Sequence, residues 1–323
     1  MSLELKHCPI LIAIALAAFL VLPSISLATE VLIFAIIALG CSILLGYAGL
    51  LSFGQAIFFG LGAYVASLSQ IHLGVNFLVG LLIATAAGAI VAALVGALAI
   101  RRQGIYFVML TLAFTQLAFF ISYTLDEWTG GDNGLLDVPR NSVNIFGYEI
   151  AIDSSEKFYA FVAISFVLIF LALLRITHSQ FGRTLLAIKQ NEERATALGY
   201  SVKWYKVLAF VFSGSITAYA GGMYALFLNF APLSNVELIM SEHILIMAII
   251  GGTGNVYGAV LGSLFLVVVG DMLSAFWERW LFMLGGILIL TVFYMRGGLI
   301  SGLYGVFEFL SQKLGSASTQ KES

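Results

Sequence analysis

The sequence predicts an all-α protein that crosses a membrane many times. Of its 323 residues, 61% are hydrophobic and only 10% are charged, and the mean hydropathy is +1.03. A soluble core cannot hide that much apolar surface. Helices are expected because the apolar runs lack the alternation of a membrane β-barrel and approach the roughly 20 residues that cross a hydrocarbon layer. The clearest such runs are 10–22, 31–45, 77–100 and 158–174.

The distribution of Lys and Arg predicts the orientation of the chain, because basic residues near helix ends stay cytoplasmic. Both termini are predicted to be cytoplasmic, since that arrangement leaves only Arg140, Lys157 and Arg279 outside. The residues predicted inside are Lys6, Arg101, Arg102, Arg175, Arg183, Lys189, Arg194, Lys203, Lys206, Arg296, Lys313 and Lys321.

About ten membrane segments are predicted. Eight are single helices, at 9–28, 31–50, 53–70, 76–100, 104–124, 157–176, 207–228 and 280–295. The remaining stretch, 243–270, begins and ends outside, yet it is too long for one span and too short for two. We therefore expect a broken or re-entrant pair of helices, interrupted at Gly251, Gly252 and Gly254.

Glycines also punctuate the third segment, at Gly46, Gly49 and Gly54. Two interrupted segments in corresponding positions predict an inverted repeat of five segments in each half, although glycines also simply let helices approach closely. Five other glycines are expected only to let neighbouring helices pack closely: Gly60, Gly62, Gly80, Gly88 and Gly96.

The chain is predicted to form a single transmembrane domain over 1–311, followed by a flexible cytoplasmic tail at 312–323. Ser26-Leu27-Ala28 resembles a signal-peptide cleavage site. A retained first helix is favoured, because another apolar run follows almost at once and little positive charge precedes it. The two cysteines have neither metal-site nor disulfide spacing, and no metal site is expected.

The predicted periplasmic loop, 125–156, is acidic and begins with the glycine-rich turn 129–134. Two interpretations stay open. The loop is either a solvated connection or the docking rim for a soluble partner that delivers a solute. The rim would also include the outward acidic residues Glu237, Glu242, Asp271 and Glu278.

The predicted cytoplasmic loop, 177–206, is rich in good helix formers. Leu185, Ile188, Ala195 and Leu198 recur at helical spacing, which predicts a short amphipathic helix over 183–199. Such a helix could lie on the membrane or be held by a cytoplasmic subunit. Its mixed charges argue against a lipid-binding face.

These motifs together resemble the branched-chain amino acid ABC transporter permeases of the LivH/LivM family, and the LivM kind in particular, across nearly the whole chain. The resemblance implies a multi-pass protein of the bacterial inner membrane. It also implies a heterodimer with a second permease, two cytoplasmic ATPase subunits that bind ATP and Mg²⁺, and a periplasmic substrate-binding protein. The segments that carry the resemblance are 46–55, 104–114, 129–134, 182–183, 195–199 and 251–254.

In related permeases a cytoplasmic coupling segment carries a Glu followed six positions later by a Gly, and Glu193 with Gly199 has that spacing. Arg194 stands where the family has a small residue, so the location of the segment is better supported than the role of Glu193. The resemblance assigns coupling to the ATPase to Gly182, Arg183, Glu192, Glu193, Ala195 and Gly199.

The sequence contains no Gly-Lys dipeptide and therefore no P-loop for ATP, so this chain needs a separate ATPase. An ion-coupled secondary transporter or channel for a small neutral or zwitterionic solute is the alternative, but the sequence predicts no well-buried ionisable residue within the membrane. An enzyme is disfavoured because neither HExxH nor GxSxG occurs.

Neutral polar residues within the predicted spans are candidates for the translocation pathway, since a zwitterion needs polar groups or water in place of its hydration shell. The candidates are Gln55, Thr111, Thr115, Gln116 and Asn255. The competing interpretation is hydrogen bonding between helices. Branched-chain amino acids are the family's usual solutes, but urea and amides are not excluded.

Overall fold

The computed structural model describes residues 2–140, 143–145, 148–150, 154–276, 279–294 and 297–301. The α-helices are α1 (Ser2–Val21), α2 (Ile25–Ser42), α3 (Gln55–Leu73), α4 (Phe77–Ala99), α5 (Ile105–Thr124), α6 (Asp126–Thr129), α7 (Ser155–His178), α8 (Gln180–Gln190), α9 (Glu192–Ala197), α10 (Val202–Leu228), α11 (Leu238–Gly251), α12 (Val256–Phe276) and α13 (Trp280–Tyr294). A π-helix (Ile43–Ala48) continues α2, 3₁₀ turns occupy Gly131–Asn133 and Leu233–Val236, and β1 (Val143–Ile145) pairs antiparallel with β2 (Tyr148–Ile150).

The predicted all-α fold is confirmed, apart from that short hairpin within the 125–156 loop. Seven of the described helices are long and apolar enough to cross a membrane: α2 with its π-helical end, α3, α4, α5, α7, α10 and α12. The count of ten segments stays a prediction, and so does the orientation. The predicted tail, together with Glu278, Arg296, Lys313 and Lys321, lies outside the described residues.

The boundary between the first two helices differs from the predicted one. The sequence predicted helices over 9–28 and 31–50, whereas α1 ends at Val21 and α2 begins at Ile25. Pro23 disfavours a helical conformation at the residue before it. Ser24 then caps α2, with its hydroxyl accepting the Leu27 N–H at 3.1 Å.

The centre of the fold is α2, which is almost wholly buried, with α10 packed against α2, α3 and α4. Glycines allow this packing, as predicted. A methyl group added at Gly62 would lie 2.0 Å from the Ala218 carbonyl oxygen, and one at Gly88 would lie 2.3 Å from the Ala218 Cβ. Glycines are therefore needed where α3 and α4 meet α10. The remaining predicted close-approach glycines, Gly60, Gly80 and Gly96, would also meet neighbouring side chains within 3.1 Å.

Two ends of the bundle can be distinguished by charge. We call the end that carries Arg101, Arg102 and residues 177–206 the basic end, and the end that carries residues 125–140 the acidic end. A ring contact of 5.8 Å between His72 and Trp128 places the last turn of α3 at the acidic end.

Two helices begin half-way through the bundle. The Gln55 amide at the start of α3 donates to Ser213 Oγ at 3.0 Å and accepts from Thr217 Oγ1 at 2.9 Å, and both partners lie in the middle of α10. The first turn of α11 lies beside this point, because Ser241 Oγ accepts the Ala56 N–H at 2.8 Å. From there α3 runs to the acidic end and α11 to the basic end.

The prediction that segment 243–270 begins outside is therefore wrong. Asn229 ends α10 with a φ of 55°, and Pro232 cannot continue that helix. Residues 229–237 instead lead inward along α3, where Val236 packs against Gly60. Glu242, which the sequence placed on the outward surface, consequently lies half-way along the bundle.

α11 ends at Gly251 and α12 begins at Val256, so the chain leaves the helical conformation over 252–255, at the predicted Gly252 and Gly254 and one residue after the predicted Gly251. This interruption lies near the basic end, because a methyl group at Gly46 would lie 2.8 Å from the Gly254 nitrogen, and Gly46 itself contacts the 177–206 segment. The two glycine-marked interruptions of the sequence thus pack against each other. The inverted repeat stays a prediction.

Candidate functional site

A layer of hydrogen-bonded polar side chains crosses the middle of the bundle. Gln55 is fully buried and joins α3 to two hydroxyl groups of α10. Buried polar groups need such partners because an unpaired one is costly away from water. In this structure Gln55 is satisfied by protein, and its place in a solute pathway stays a prediction.

Thr111 and Thr115 hold the irregular chain that precedes α3. Thr111 Oγ1 accepts the Phe53 N–H at 3.2 Å, and Thr115 Oγ1 donates to the Phe53 carbonyl at 2.7 Å. Both threonines are fully buried. They supply backbone partners to the non-helical segment 49–54, which a membrane interior would otherwise leave unpaired.

The other two pathway candidates lie apart from this layer. Gln116 is exposed on the outer surface of α5. Asn255 lies in the α11–α12 turn, where its Oδ1 accepts the Tyr257 N–H at 3.0 Å and starts α12. The structure therefore brings together Gln55, Thr111 and Thr115 and leaves Gln116 and Asn255 elsewhere.

Two other buried polar groups were not singled out from the sequence. The Tyr64 hydroxyl and the Asn235 amide nitrogen have no hydrogen-bond partner within the described part of the chain. Both side chains are at most 5% exposed. A single Tyr in an apolar run and a single Asn before a helix give no pattern from which this could be predicted.

The amphipathic helix predicted over 183–199 is in fact two helices. α8 ends at Gln190, and Asn191 starts α9 by accepting the Arg194 N–H at 2.8 Å through its side chain. An Asn that caps a new helix competes with continuation of the old one. Ile188 and Ala195 are buried as predicted, but Leu198 is 72% exposed and does not belong to the apolar face.

The residues assigned to coupling divide into anchored and exposed ones. Gly182 and Ala195 are buried, and a methyl group at Gly182 would lie 2.2 Å from the Thr177 carbonyl oxygen. Arg183, Glu193 and Gly199 are exposed. Gly199 adopts a φ of 87°, and within the described residues no heavy atom lies within 4 Å of a Cβ built there.

Glu192 links α9 to the rest of the bundle. Its carboxylate accepts from Lys206 Nζ at 2.6 Å and from Gln103 Nε2 at 2.9 Å. Lys206 belongs to α10, and Gln103 belongs to the α4–α5 turn. These residues and Arg102 line a cavity of about 470 Å³ at the basic end.

Lys189 makes a second link that the sequence did not reveal. Its Nζ donates to the Gly46 carbonyl at 2.7 Å, near the end of the π-helix that continues α2. The last carbonyls of a helix lack intrahelical donors, and a cation near them is favoured by the helix dipole. Because Gly46 also packs against Gly254, α8 is connected through the end of α2 to the α11–α12 turn.

At the acidic end, the predicted glycine-rich turn is well packed. Thr129 Oγ1 donates to the Ser122 carbonyl at 2.6 Å, and Leu135 pairs with Ala231. Arg140 donates to the Leu226 carbonyl at 2.6 Å near the end of α10, and burial lowers the pKa of its guanidinium. Exposed acidic side chains remain on this surface, at Asp126, Glu127, Asp132 and Asp137.

The fold and these sites define a multi-pass helical membrane protein with a hydrogen-bonded polar interior, irregular chain inside the bundle and a partly exposed helical segment at one end. This combination is typical of a transport protein.

Comparison with known proteins identifies the family. Residues 24–293 match the family model of the branched-chain amino acid transport system permease component. The chain belongs to this family of permeases.

Individual relatives agree with that assignment. The chain is 26% identical over 298 residues to the high-affinity branched-chain amino acid transport system permease LivM of Escherichia coli K12, covering 86% of this chain and 70% of the relative. It is 26% identical over 258 residues to LivH of the same organism, covering 75% and 82%. A segment of 137 residues is 30% identical to the autoinducer 2 import permease LsrC of Klebsiella pneumoniae, covering 40% and 39%. No solved structure matches the chain.

Proposed function

We propose that this chain is the permease subunit of an ATP-driven ABC importer that moves branched-chain or related amino acids across the bacterial inner membrane. Its basic end would face the cytoplasm and its acidic end the periplasm. The proposed partners are a second permease, two ATPase subunits that bind ATP and Mg²⁺, and a periplasmic binding protein. Family membership supports this proposal, since the relatives are permeases of transport systems.

The observation that carries the proposal is the surface around α9 at the basic end. Glu193 and Gly199 are exposed there, next to three large apolar side chains. Leu198 is 72% exposed, Tyr200 44% and Trp204 69%. Apolar side chains clustered beside charged ones at an exposed helix are typical of a protein–protein contact.

The acidic end supports the proposal in a second way. Four exposed carboxylates lie on a surface that is held to α10 by the hydrogen bond from Arg140 to the Leu226 carbonyl. A firmly held, charged surface suits the docking of a soluble binding protein, because charge complementarity steers association.

The first test is purification of the tagged chain from its native membrane in mild detergent, with identification of the proteins that accompany it. Recovery of a P-loop ATPase and a second permease is expected. Glu242 supports the ion-coupled alternative, because this residue is ionisable and lies half-way along the bundle. If the chain is recovered alone and drives ion-coupled uptake in liposomes, the importer proposal is wrong.

The second test addresses the coupling surface. Gly199→Trp is expected to weaken ATPase association and uptake by adding a bulky side chain to the contact. Gly74→Trp is the matched control, because Gly74 also has a positive φ and open space, but it lies at the end of α3. Equal effects of the two substitutions, or no effect of Gly199→Trp, would refute this coupling surface.

A further inference from the structure

Glu242 is a charged residue at mid-depth in the bundle. Its neighbour Ser241 bonds to the first turn of α3, which bonds to Ser213 and Thr217 of α10. α10 continues for eleven residues on either side of that pair. Eleven helical residues extend roughly 16 Å at about 1.5 Å per residue. Glu242 is therefore far from both surfaces of the membrane.

The carboxylate of Glu242 points out of the chain and not into its core. Glu242 is exposed, and Ile239 on the same side of α11 is 55% exposed. Ser241 and Ile244 are fully buried on the opposite side. Among the described residues, no hydrogen bond or ion pair to the Glu242 carboxylate is formed.

Hydrocarbon is a poor environment for this side of α11, because a charge that faces lipid at mid-depth is strongly disfavoured. The lipid-facing pattern is visible on α4, where Gly88 packs against Ala218 of α10 and the exposed residues include Ile83, Ile90 and Leu94. Those exposed side chains are wholly apolar. At comparable depth, the exposed side of α11 carries the carboxylate of Glu242. This difference from α4 indicates that the exposed side of α11 contacts water or protein and not lipid.

The neighbouring helix α5 carries a polar residue at a similar depth. Thr115 bonds to Phe53, two residues before α3 begins, and the next residue, Gln116, is exposed. α5 packs against α11. Gln116 is a polar residue among exposed apolar ones on α5, such as Met109 and Leu117. We call the surface that carries Gln116 on α5 and Glu242 on α11 the α5–α11 face.

We propose that the α5–α11 face lines a water-filled solute pathway and that Glu242 binds the ammonium group of a zwitterionic amino acid there. A carboxylate accepts charge-assisted hydrogen bonds from the N–H groups of an ammonium ion that face it, replacing part of the ion's hydration. The inference rests on the proposed function and deepens it by naming the solute class. Urea and amides lack the ammonium group that this contact requires.

Water access is tested by cysteine labelling of the whole complex in liposomes, after replacement of Cys8 and Cys41 by Ala. A membrane-impermeant cationic thiol reagent is expected to label Glu242→Cys. Leucine supplied on its binding protein is expected to slow that labelling. Ile90→Cys is the matched control, because it is 63% exposed at comparable depth on the apolar side of α4 and is expected to stay unlabelled.

Solute contact is tested by counting leucine molecules imported per ATP hydrolysed. Glu242→Gln is expected to lower this ratio by about fivefold, because the Gln amide oxygen still accepts a hydrogen bond from the ammonium group but no longer carries the negative charge that strengthens it. Glu242→Asp, which keeps the charge, is expected to recover most of it. A Glu242→Cys protein that labels no faster than Ile90→Cys overturns the proposal, and so does a Glu242→Gln protein with an unchanged ratio.

Two further outcomes distinguish failure of the solute contact from failure of the proposed function. If Glu242→Gln detaches the second permease, the carboxylate pairs with that subunit and the proposed solute contact is wrong. If the unsubstituted complex assembles but imports no leucine, the branched-chain assignment of the proposed function fails. Labelling and protection by other amino acids would still test the α5–α11 face.

Discussion

Gly262→Ala tests whether α11 and α12 must pack backbone to backbone. A methyl group at Gly262 would lie 1.9 Å from the Met247 carbonyl oxygen, whereas ordinary contacts begin at 3.4 Å. The two helices would have to separate locally by about 1.5 Å, because a backbone carbonyl cannot rotate away as a side chain can.

The cost can be weighed against the gain in helix propensity. Overpacking costs about 1–3 kcal/mol, and a rigid backbone obstacle places this site near the upper end. Alanine regains about 1 kcal/mol over glycine within a helix. The net destabilisation is therefore about 2 kcal/mol. At about 2–4 °C per kcal/mol, the unfolding temperature is expected to fall by several degrees.

The assay is a thermal ramp in detergent with the folded fraction measured by gel filtration. Gly286→Ala in α13 is the matched control, because within the described residues no heavy atom lies within 4 Å of a Cβ built there. It is expected to leave the unfolding temperature unchanged or slightly raised. If Gly262→Ala is as stable as Gly286→Ala, the close packing of α11 on α12 is wrong.

Three further substitutions can be measured in the same thermal assay. Gln55→Leu should destabilise the protein by about 1 kcal/mol, because two hydroxyl groups of α10 lose their partner; unchanged stability would contradict a structural role for the polar layer. Lys189→Met should lower stability and uptake, because it removes the cation from the Gly46 carbonyl. Lys189→Arg should restore both, and equal losses in the two variants would exclude a role for this hydrogen bond. Tyr64→Phe should be neutral or stabilising, because it removes a buried hydroxyl that has no partner among the described residues; a large loss of stability would reveal a partner for that hydroxyl.

Hydropathy predicted the long helices well because a membrane span is a property of local composition. α4 and α5 begin and end within a residue or so of the predicted bounds. The glycine break before Asn255 was also predictable, since glycine and asparagine carry local turn preferences. The start of α11 was not predictable in this way. It depends on the Ala56–Ser241 hydrogen bond, which joins residues 185 positions apart.

Among the site residues too, local sequence features could be predicted and long-range contacts could not. The helical segment at 180–197 could be located because its composition differs from that of its surroundings, and its coupling role stays a prediction. By contrast, Gln55, Thr111 and Thr115 could be named as polar but not assigned partners, because their partners lie on other helices. The sequence identifies Lys189 only as one basic residue of a predicted cytoplasmic loop, because its contact with Gly46 arises from the tertiary fold.

The end of α2 connects the proposed coupling surface to the helix that carries Glu242. Lys189 on α8 bonds to Gly46, and Gly46 packs against Gly254 in the turn that follows α11. α11 begins at mid-depth and carries Glu242 in its second turn. Packed helices move as rigid elements, so if an ATPase docks on α8 as proposed, a displacement of α8 is expected to reach α11 through this contact. The path requires no flexible linker, because each step is a hydrogen bond, a van der Waals contact or a continuous helix.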